Sequence, residues 1–347
     1  MKKLILAIAL FTSIGASAQT EKVTYKPLMQ QFVPTDLSTY RPVLKSTLDR
    51  SYKIDPTVGY TIQETKPGSK IYVLTDGVWQ SAAIVTTTGV VLLDAPESYG
   101  MNIEKMVKQV TDKPITTLIY THSHNDHISG SRYLKNIKNL EIIAAKPVAS
   151  YLKEKNDQKR LVPTNSFSGK LTLKKGDKTI ELQELALFHS NESDVAVYLP
   201  KEKFLMVVDL LTPGYVPFKN LDLSNNMHGY LKAFDKVLAY DFDVFLAGHL
   251  TALGNKEDVV VAKAYATDLY SIVKKLYQNT DMMKVMGEAA GTIGWENKFL
   301  LFNVYLDKII KEGTDEVVAK WGDKLGGVDV WAPSHVSTML NYVKWDD

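Results

Sequence analysis

An apolar run of six residues, Ile115-Thr116-Thr117-Leu118-Ile119-Tyr120, feeds without a break into Thr121-His122-Ser123-His124-Asn125-Asp126-His127. The run reads as a buried strand. Any fold for this chain must therefore supply a strand end at which three imidazoles and a carboxylate crowd together. Side chains two apart in extended backbone point the same way, so His122 and His124 converge on one point. A turn at Asn125 re-aims the chain, and Asp126 and His127 reach a second point. Imidazole nitrogens and carboxylate oxygens suit zinc, and other divalent transition metals such as manganese or iron occupy similar sites. Only four other histidines occur in the 347 residues, so a chance surface cluster does not account for this spacing.

Alternating strand and helix signals surround the cluster. Lys70–Thr75, Ser81–Thr86 and Gly89–Asp94 read as strands, with Asp76-Gly77 as a turn. Tyr99–Thr111 has helical spacing, ended by Pro114. A second series follows: strand Leu140–Ala145, helix Pro147–Lys155, and strands Leu171–Leu173, Thr179–Ala186, Val195–Leu199 and Lys203–Val208. The last runs into Asp209. Helix Gly229–Tyr240 precedes a short strand, Val244–Ala247, that ends at Gly248-His249. Beyond Lys256 the period becomes helical, through Val259, Leu269, Val273 and Leu276, then Phe299–Ile310 and Thr314–Lys324. Ahead of the strands, residues 19–65 are turn-rich, with a short helix expected within Leu37–Asp49.

The first eighteen residues differ in kind. Lys2 and Lys3 precede an apolar run, Leu4–Ile14, and Ala16-Ser17-Ala18 has the small-x-small form of a signal-peptidase site. The run is shorter than the roughly 20 residues a membrane anchor needs. A cleaved secretory signal, with Gln19 as the first mature residue, is the expectation, and with it a periplasmic or secreted protein. Loss of the two lysines takes the formal net charge from +2 to 0. A neutral chain lacks a general electrostatic grip on nucleic acid or anionic lipid, so the expected partner is a small-molecule substrate. The chain has no cysteine, which excludes disulfides and thiolate zinc sites. The sequence divides into a signal peptide (1–18), an N-terminal extension (19–65), a catalytic domain (66–255) and a helical C-terminal segment packed on the core (256–347).

The segment His122-Ser123-His124-Asn125-Asp126-His127 closely resembles the H-x-H-x-D-H signature of the metallo-β-lactamase superfamily. Later positions match in order: His189 after a strand, Asp209 directly after the following hairpin strand, and His249 in Ala247-Gly248-His249. The match covers roughly residues 70–250. The resemblance implies an α/β fold, a four-layer αββα sandwich, with a helical C-terminal extension. It implies one metal site of His122, His124 and His189, a second of Asp126, His127 and His249, and Asp209 bridging two Zn2+ ions. It further implies that Asp94 supports the ligand loop without binding metal. Two departures stand out. Phe188 replaces the usual glycine before the third histidine, and Ser190-Asn191-Glu192-Ser193-Asp194 replaces the usual short turn after it.

By the same resemblance a metal-bound hydroxide is the nucleophile, with Asp126 orienting it or shuttling its proton. Aspartate at position 209 points away from the β-lactamase classes proper, which usually carry cysteine or serine there. It points toward thioesterase-, lactonase-, sulfatase- and phosphodiesterase-like members. The expected activity is hydrolysis of an ester, lactone or amide-type bond. A β-lactamase, a sulfuric or phosphoric ester hydrolase, and a non-catalytic metal-binding domain stand as alternatives. The loop after Thr212-Pro213-Gly214 offers Tyr215, Asn225, Asn226 and His228 as rim residues, where a tyrosine or histidine could donate to an oxyanion. His335, far along the helical tail, reads as structural.

Overall fold

The computed structural model describes residues 37–347 apart from Ala186. The expected signal peptide lies outside the described residues, as do the part of the turn-rich segment before Leu37 and the expected strand end at Ala186. No helix among the described residues is long and apolar enough to cross a membrane.

Two sheets stack face to face. The first has seven strands in sequential order: β1 (Thr61–Glu64), β2 (Ile71–Thr75), β3 (Gln80–Val85), β4 (Val90–Leu93), β5 (Ile115–Ile119), β6 (Glu141–Ala145) and β7 (Asn165–Phe167). β1 to β4 run antiparallel, and β4 to β7 run parallel. The second sheet orders β12 (Val244–Leu246), β11 (Phe204–Met206), β10 (Val195–Leu199), β9 (Lys178–Glu184) and β8 (Lys170–Lys175). β4, with the sequence Val-Val-Leu-Leu, is buried along its whole length, as expected of a strand covered on both faces in parallel pairing. β8 alternates exposed and half-buried residues and carries lysines on the outside, which discourages edge-to-edge pairing.

The period of two assigns each face of the second sheet. Val195, Val197, Leu199, Phe204, Met206, Val208 and Leu246 join the core shared with the first sheet. Ala196, Leu205, Val207, Phe245 and Ala247 face the helical side instead, against Tyr230, Phe234, Tyr265 and Leu269. Helices Ile103–Lys108 and Lys146–Lys155 send Met106, Val107, Val148 and Leu152 into the first core. The expected αββα sandwich is thus observed, with the helical tail on the second sheet's outer side.

Several elements depart from expectation for local reasons. The Tyr99–Thr111 helix shrinks to a 3-10 turn, Gly100–Asn102, and a short helix, Ile103–Lys108. Phe299–Ile310 and Thr314–Lys324 are one helix, Lys298–Trp321, because Gly313 lies inside it. A Cβ at Gly313 would stand 2.9 Å from Val336 Cγ1, so the glycine serves helix–helix approach and not a chain break. Helices Met282–Ile293 and Val328–Trp345 complete the tail. The long helix Lys256–Asn279 begins with a capping box between Asn255 and Asp258, which satisfies otherwise orphaned amides. Arg50, just after the short helix Lys45–Asp49, pairs with Asp258 at 2.6 Å and ties the chain's early residues to this helix.

His335 joins the tail to the site described next. It is fully buried. Nε2 donates to the Phe218 carbonyl at 3.0 Å, and Nδ1 lies 2.7 Å from the Tyr265 hydroxyl, accepting its proton. Burial holds the imidazole down to about 4, against about 6.5 in an unfolded chain. Between these values the unfolded chain binds the extra proton, so stability is fully present above about pH 6.5 and is lost as pH falls toward 4. The loss attributable to this side chain approaches ~3 kcal/mol. Urea unfolding at pH 7.5 and pH 4.5 should show a steeper loss for the wild type than for His335→Gln. Equal losses would remove His335 as the source.

Candidate metal centre

Each ligand sits where a strand ends or a turn is forced. β5 stops at Ile119, and Thr121 is then clamped by Asp94, the residue after β4. The Asp94 carboxylate accepts from Thr121 N at 2.8 Å and from Thr121 Oγ1 at 2.7 Å. Asp94 is fully buried with φ 60°, and burial pushes its carboxyl up to about 7. Having donated its only proton to Asp94, Thr121 Oγ1 must accept from His122 Nδ1, 3.0 Å away. That leaves His122 Nε2 without a proton, and this buried atom has no hydrogen-bond partner.

Asn125–Ile128 then form a single helical turn that swings Asp126 and His127 past the strand end. Its carbonyls are tied to the loop after Asp94, through Ala95 N to His127 O at 2.8 Å. Trp79 Nε1 donates to Asp126 Oδ2 at 3.2 Å.

His189 is fixed by the unusual loop that follows it. The Asp194 carboxylate accepts from the amides of Phe188, His189 and Ser190 at 2.9, 3.1 and 3.0 Å. An aspartate in a Ser/Asn-rich loop is a recognisable backbone clamp, so this role carried a sequence signal. The other support carried none. His189 Nδ1 donates to the carbonyl of Asp222, which lies in a left-handed turn of four consecutive non-glycine residues. Asn220, Leu221, Asp222 and Leu223 have φ of 55°, 57°, 55° and 56°. Each costs on the order of 1 kcal/mol or more. Hydrogen bonds hold the turn: Phe218 N to Asp222 Oδ1 at 3.0 Å, Asn220 N to Ser334 Oγ at 3.1 Å, and the His335–Phe218 bond.

His249 follows Gly248, whose φ of 92° favours glycine. A Cβ there would stand 2.6 Å from Val208 Cγ1. The amides of Gln80 and Leu250 pin this loop to Gly248 O and Val78 O, each at 2.7 Å.

The ligand atoms form two groups. Those of His122, His124, His189 and Asp209 lie within 4.8 Å of one another, as do those of Asp126, His127 and His249. In the first group, His189 Nε2 is 2.7 Å from His124 Nδ1 and 2.9 Å from Asp209 Oδ2, and His122 Nε2 is 3.4 Å from Asp209 Oδ2. In the second, His127 Nε2 is 3.1 Å from His249 Nε2 and 3.4 Å from Asp126 Oδ2. Donors about 2.0–2.1 Å from a tetrahedral ion stand roughly 3.3 Å apart. The spacing and the orphaned His122 Nε2 therefore fit a metal in each group.

Asp209 faces both. Its Oδ2 is also 3.3 Å from His127 Nε2, and its Oδ1 is 3.0 Å from His249 Nε2 without hydrogen-bonding geometry. Burial alone would raise its carboxyl. The imidazoles of His127, His189 and His249 instead hold it well below the usual carboxylate range. Its charge works back on them. Burial opposes a charge on His189 and His249, yet Asp209 carries both up to about 9. His122, where burial and His127 dominate, is held well below its usual value.

All seven residues read from the sequence as ligands thus meet at one place, with Asp94 behind them. Tyr215 lines the cavity in front of them, whereas His228, Asn225 and Asn226 line a neighbouring groove that contains no ligand. Helix Met227–Leu238 starts at these residues, and His228 is exposed at its first turn. Trp79, Asp194, Phe218, Asp222 and Trp331 also shape the site, each brought there by tertiary contacts.

The family model of the metallo-beta-lactamase superfamily matches residues 76–249. The alpha subunit of a 2,4-dinitroanisole O-demethylase from Nocardioides sp. (strain JS1661) is 26% identical over 196 residues, 54% of this chain. The match spans 57% of that relative's length. Among solved structures, a metallo-beta-lactamase from Pontibacter korlensis is similar over 60% of this chain and 99% of its own, with TM-score 0.52 and 17% identity. One from Hirschia baltica covers 60% of this chain and 97% of its own, with TM-score 0.50 and 18% identity. At these identities the structures establish the fold alone. With the matched residues running through every candidate ligand from His122 to His249, the chain belongs to the metallo-β-lactamase superfamily.

Proposed function

We propose that this chain is a dinuclear zinc hydrolase acting outside the cytoplasm on an ester, lactone or amide-type bond of a small molecule. The observation that carries the reading is Asp209, whose two carboxylate oxygens lie against both ligand groups. Such a carboxylate offsets part of the repulsion between two dications about 3.5–4 Å apart. Zinc ions held there would supply an activated water at neutral pH and a Lewis acid for the bond being cleaved. The remaining work belongs to side chains. Trp79 Nε1–H holds one oxygen of Asp126, fixing the carboxylate that would take a proton from the attacking water. Burial pushes the Tyr215 hydroxyl up, so it stays protonated and available to donate to substrate. The signal-like residues 1–18 support export. The boundaries proposed are those read from the sequence, with catalytic chemistry in 66–255.

The reading is tested by purifying the mature protein, measuring its metal content, and assaying lactones, β-lactams, thioesters, phosphodiesters and alkyl sulfates. Close to two ions per chain and turnover of an ester, lactone or amide are expected. Bound metal without turnover of any substrate would favour a metal-binding domain.

Asp209→Asn keeps the side chain's size and removes its charge. The second ion should bind more weakly and turnover should fall at least about 10-fold, with the circular dichroism spectrum unchanged. Two tightly bound ions and an unchanged rate would rule out bridging.

Metal loading should also be linked to protons. A ligating imidazole nitrogen must be unprotonated. His189 and His249 stand at about 9 in the metal-free protein, so both are charged at pH 7. Zinc uptake at pH 7 should release about two protons, and affinity should fall as pH drops. Calorimetry in buffers of differing ionisation enthalpy measures this. Absence of proton release would place these residues outside the ligand set.

A further inference from the structure

In front of the ligands lies a cavity of about 580 Å³, within the range of small-molecule sites. Its two ends differ in chemistry. The inner end holds the metal ligands and the carboxylates of Asp126, Asp209 and Asp222. The outer end is apolar and aromatic, with Tyr215, Phe218, Val330 and Trp331. Val43, Val78, Phe218, Leu223 and Val330 are all large apolar side chains left more than a third exposed, and all line this one cavity. Such a concentration of exposed apolar surface marks a binding site.

Part of the outer wall comes from the helical tail, beyond the residues that match the superfamily. Gly326 and Gly327 lead into helix Val328–Trp345, which carries Val330 and Trp331. The wall is built rigidly. Gly326 N donates to Gly214 O at 2.9 Å, and Val216 N donates to Gly326 O at 3.0 Å. A Cβ on Gly326 would stand 2.7 Å from Tyr215 Cδ1, so the tyrosine ring lies directly on this backbone. The Phe218 and Trp331 rings pack at 4.8 Å between centroids, inclined at 58°.

Charge narrows the choice of ligand. Arg41 is the one cation lining the cavity apart from the ligand histidines, among the described residues. Its guanidinium is paired with Asp323, and its amide donates to Asp329 Oδ2 at 2.7 Å. An anionic group in the outer chamber would lose water without finding a free cation, whereas flat apolar rings offer an aromatic group offset or edge-on contacts. Resting on the hydrolase reading above, we propose that the outer wall, chiefly Trp331 of the tail with Phe218, recognises an uncharged aromatic group. The substrate class is then an ester, lactone or amide that carries an uncharged aryl group.

The test separates this proposal from the hydrolase reading by measuring binding without metal. Calorimetry on chelator-treated protein would compare 2-naphthol, neutral at pH 7, with 2-naphthyl sulfate, which carries a charge on the same rings. Naphthol should bind at least about tenfold more tightly than the sulfate. Trp331→Ala should weaken naphthol binding about tenfold or more, and Trp331→Phe should restore most of it. Val330→Trp, which adds bulk at a half-exposed position, should block binding even if Trp331→Ala fails to fold. On the zinc-loaded protein, Trp331→Ala should raise KM for 2-naphthyl acetate by a larger factor than KM for ethyl acetate. Equal affinity for naphthol and its sulfate, or naphthol binding untouched by both substitutions, overturns the proposal. Naphthol binding with no ester hydrolysed leaves the proposal standing and removes the hydrolase reading. Hydrolysis of ethyl acetate with no naphthol binding does the reverse.

Discussion

A single carboxylate, Asp209, stands where the imidazoles of His122, His127, His189 and His249 converge, each with a ring nitrogen within 3.4 Å of it. Four such rings packed together would repel whenever protonated and would lack an acceptor. Asp209 supplies the compensating charge, and the rings in turn keep it ionised despite complete burial. The backbone accepts a cost to place it there: Asp209 is a non-glycine residue at φ 58°, three residues beyond the end of β11. Parallel pairing of β11 with β12 brings Ala247 O to Asp209 N at 3.2 Å and so carries His249 to the same spot. The stacking of the two sheets, the end of β5 opposite the end of β11, is what this one side chain requires.

Around it, the protein settles which nitrogen of His122 and of His189 faces inward. Asp94 acts on His122 through Thr121, and the Asp222 carbonyl acts on His189. Such outer partners orient ligands and tune their basicity. The second of these depends on a left-handed turn that no isolated peptide of this sequence would hold. The turn persists because Ser334 and His335, on the last helix of the tail, bind its backbone. Tertiary packing thus stabilises local strain at the point where a ligand needs support.

The tail accordingly has two roles in the site, one behind the ligands and one in front. Behind, it braces His189 through the strained turn. In front, Gly326 to Trp331 wall the cavity. The candidate ligands therefore all lie within the residues that match the family, whereas the cavity in front of them is lined both by that region and by the tail.

Much of this was legible in the sequence, for reasons that differ between elements. The ligand cluster was legible because coordination chemistry restricts residue type and a strand end restricts spacing: His122, His124, Asp126 and His127, so placed, suit little besides a metal ion. His189, Asp209 and His249 were legible only through their order after that cluster. β4 and β10 announced themselves by apolar runs, and the long helix Lys256–Asn279 by its period. The short edge strands β1 and β7 did not, since three or four half-exposed residues carry little hydrophobic pattern. Nor did the real rim: the loop after Asp209 contributed Tyr215 and Phe218, while His228 turned away with its own helix. Local pattern determined the sheets, the ligand set and the helical nature of the tail, because burial and coordination constrain neighbours in the chain. Only tertiary structure decided which ring nitrogens of His122 and His189 face the ligand cluster and that Trp331, 122 residues beyond Asp209, lines the cavity. Contacts between distant segments leave no period in the sequence, and a left-handed turn without glycine leaves no composition signal.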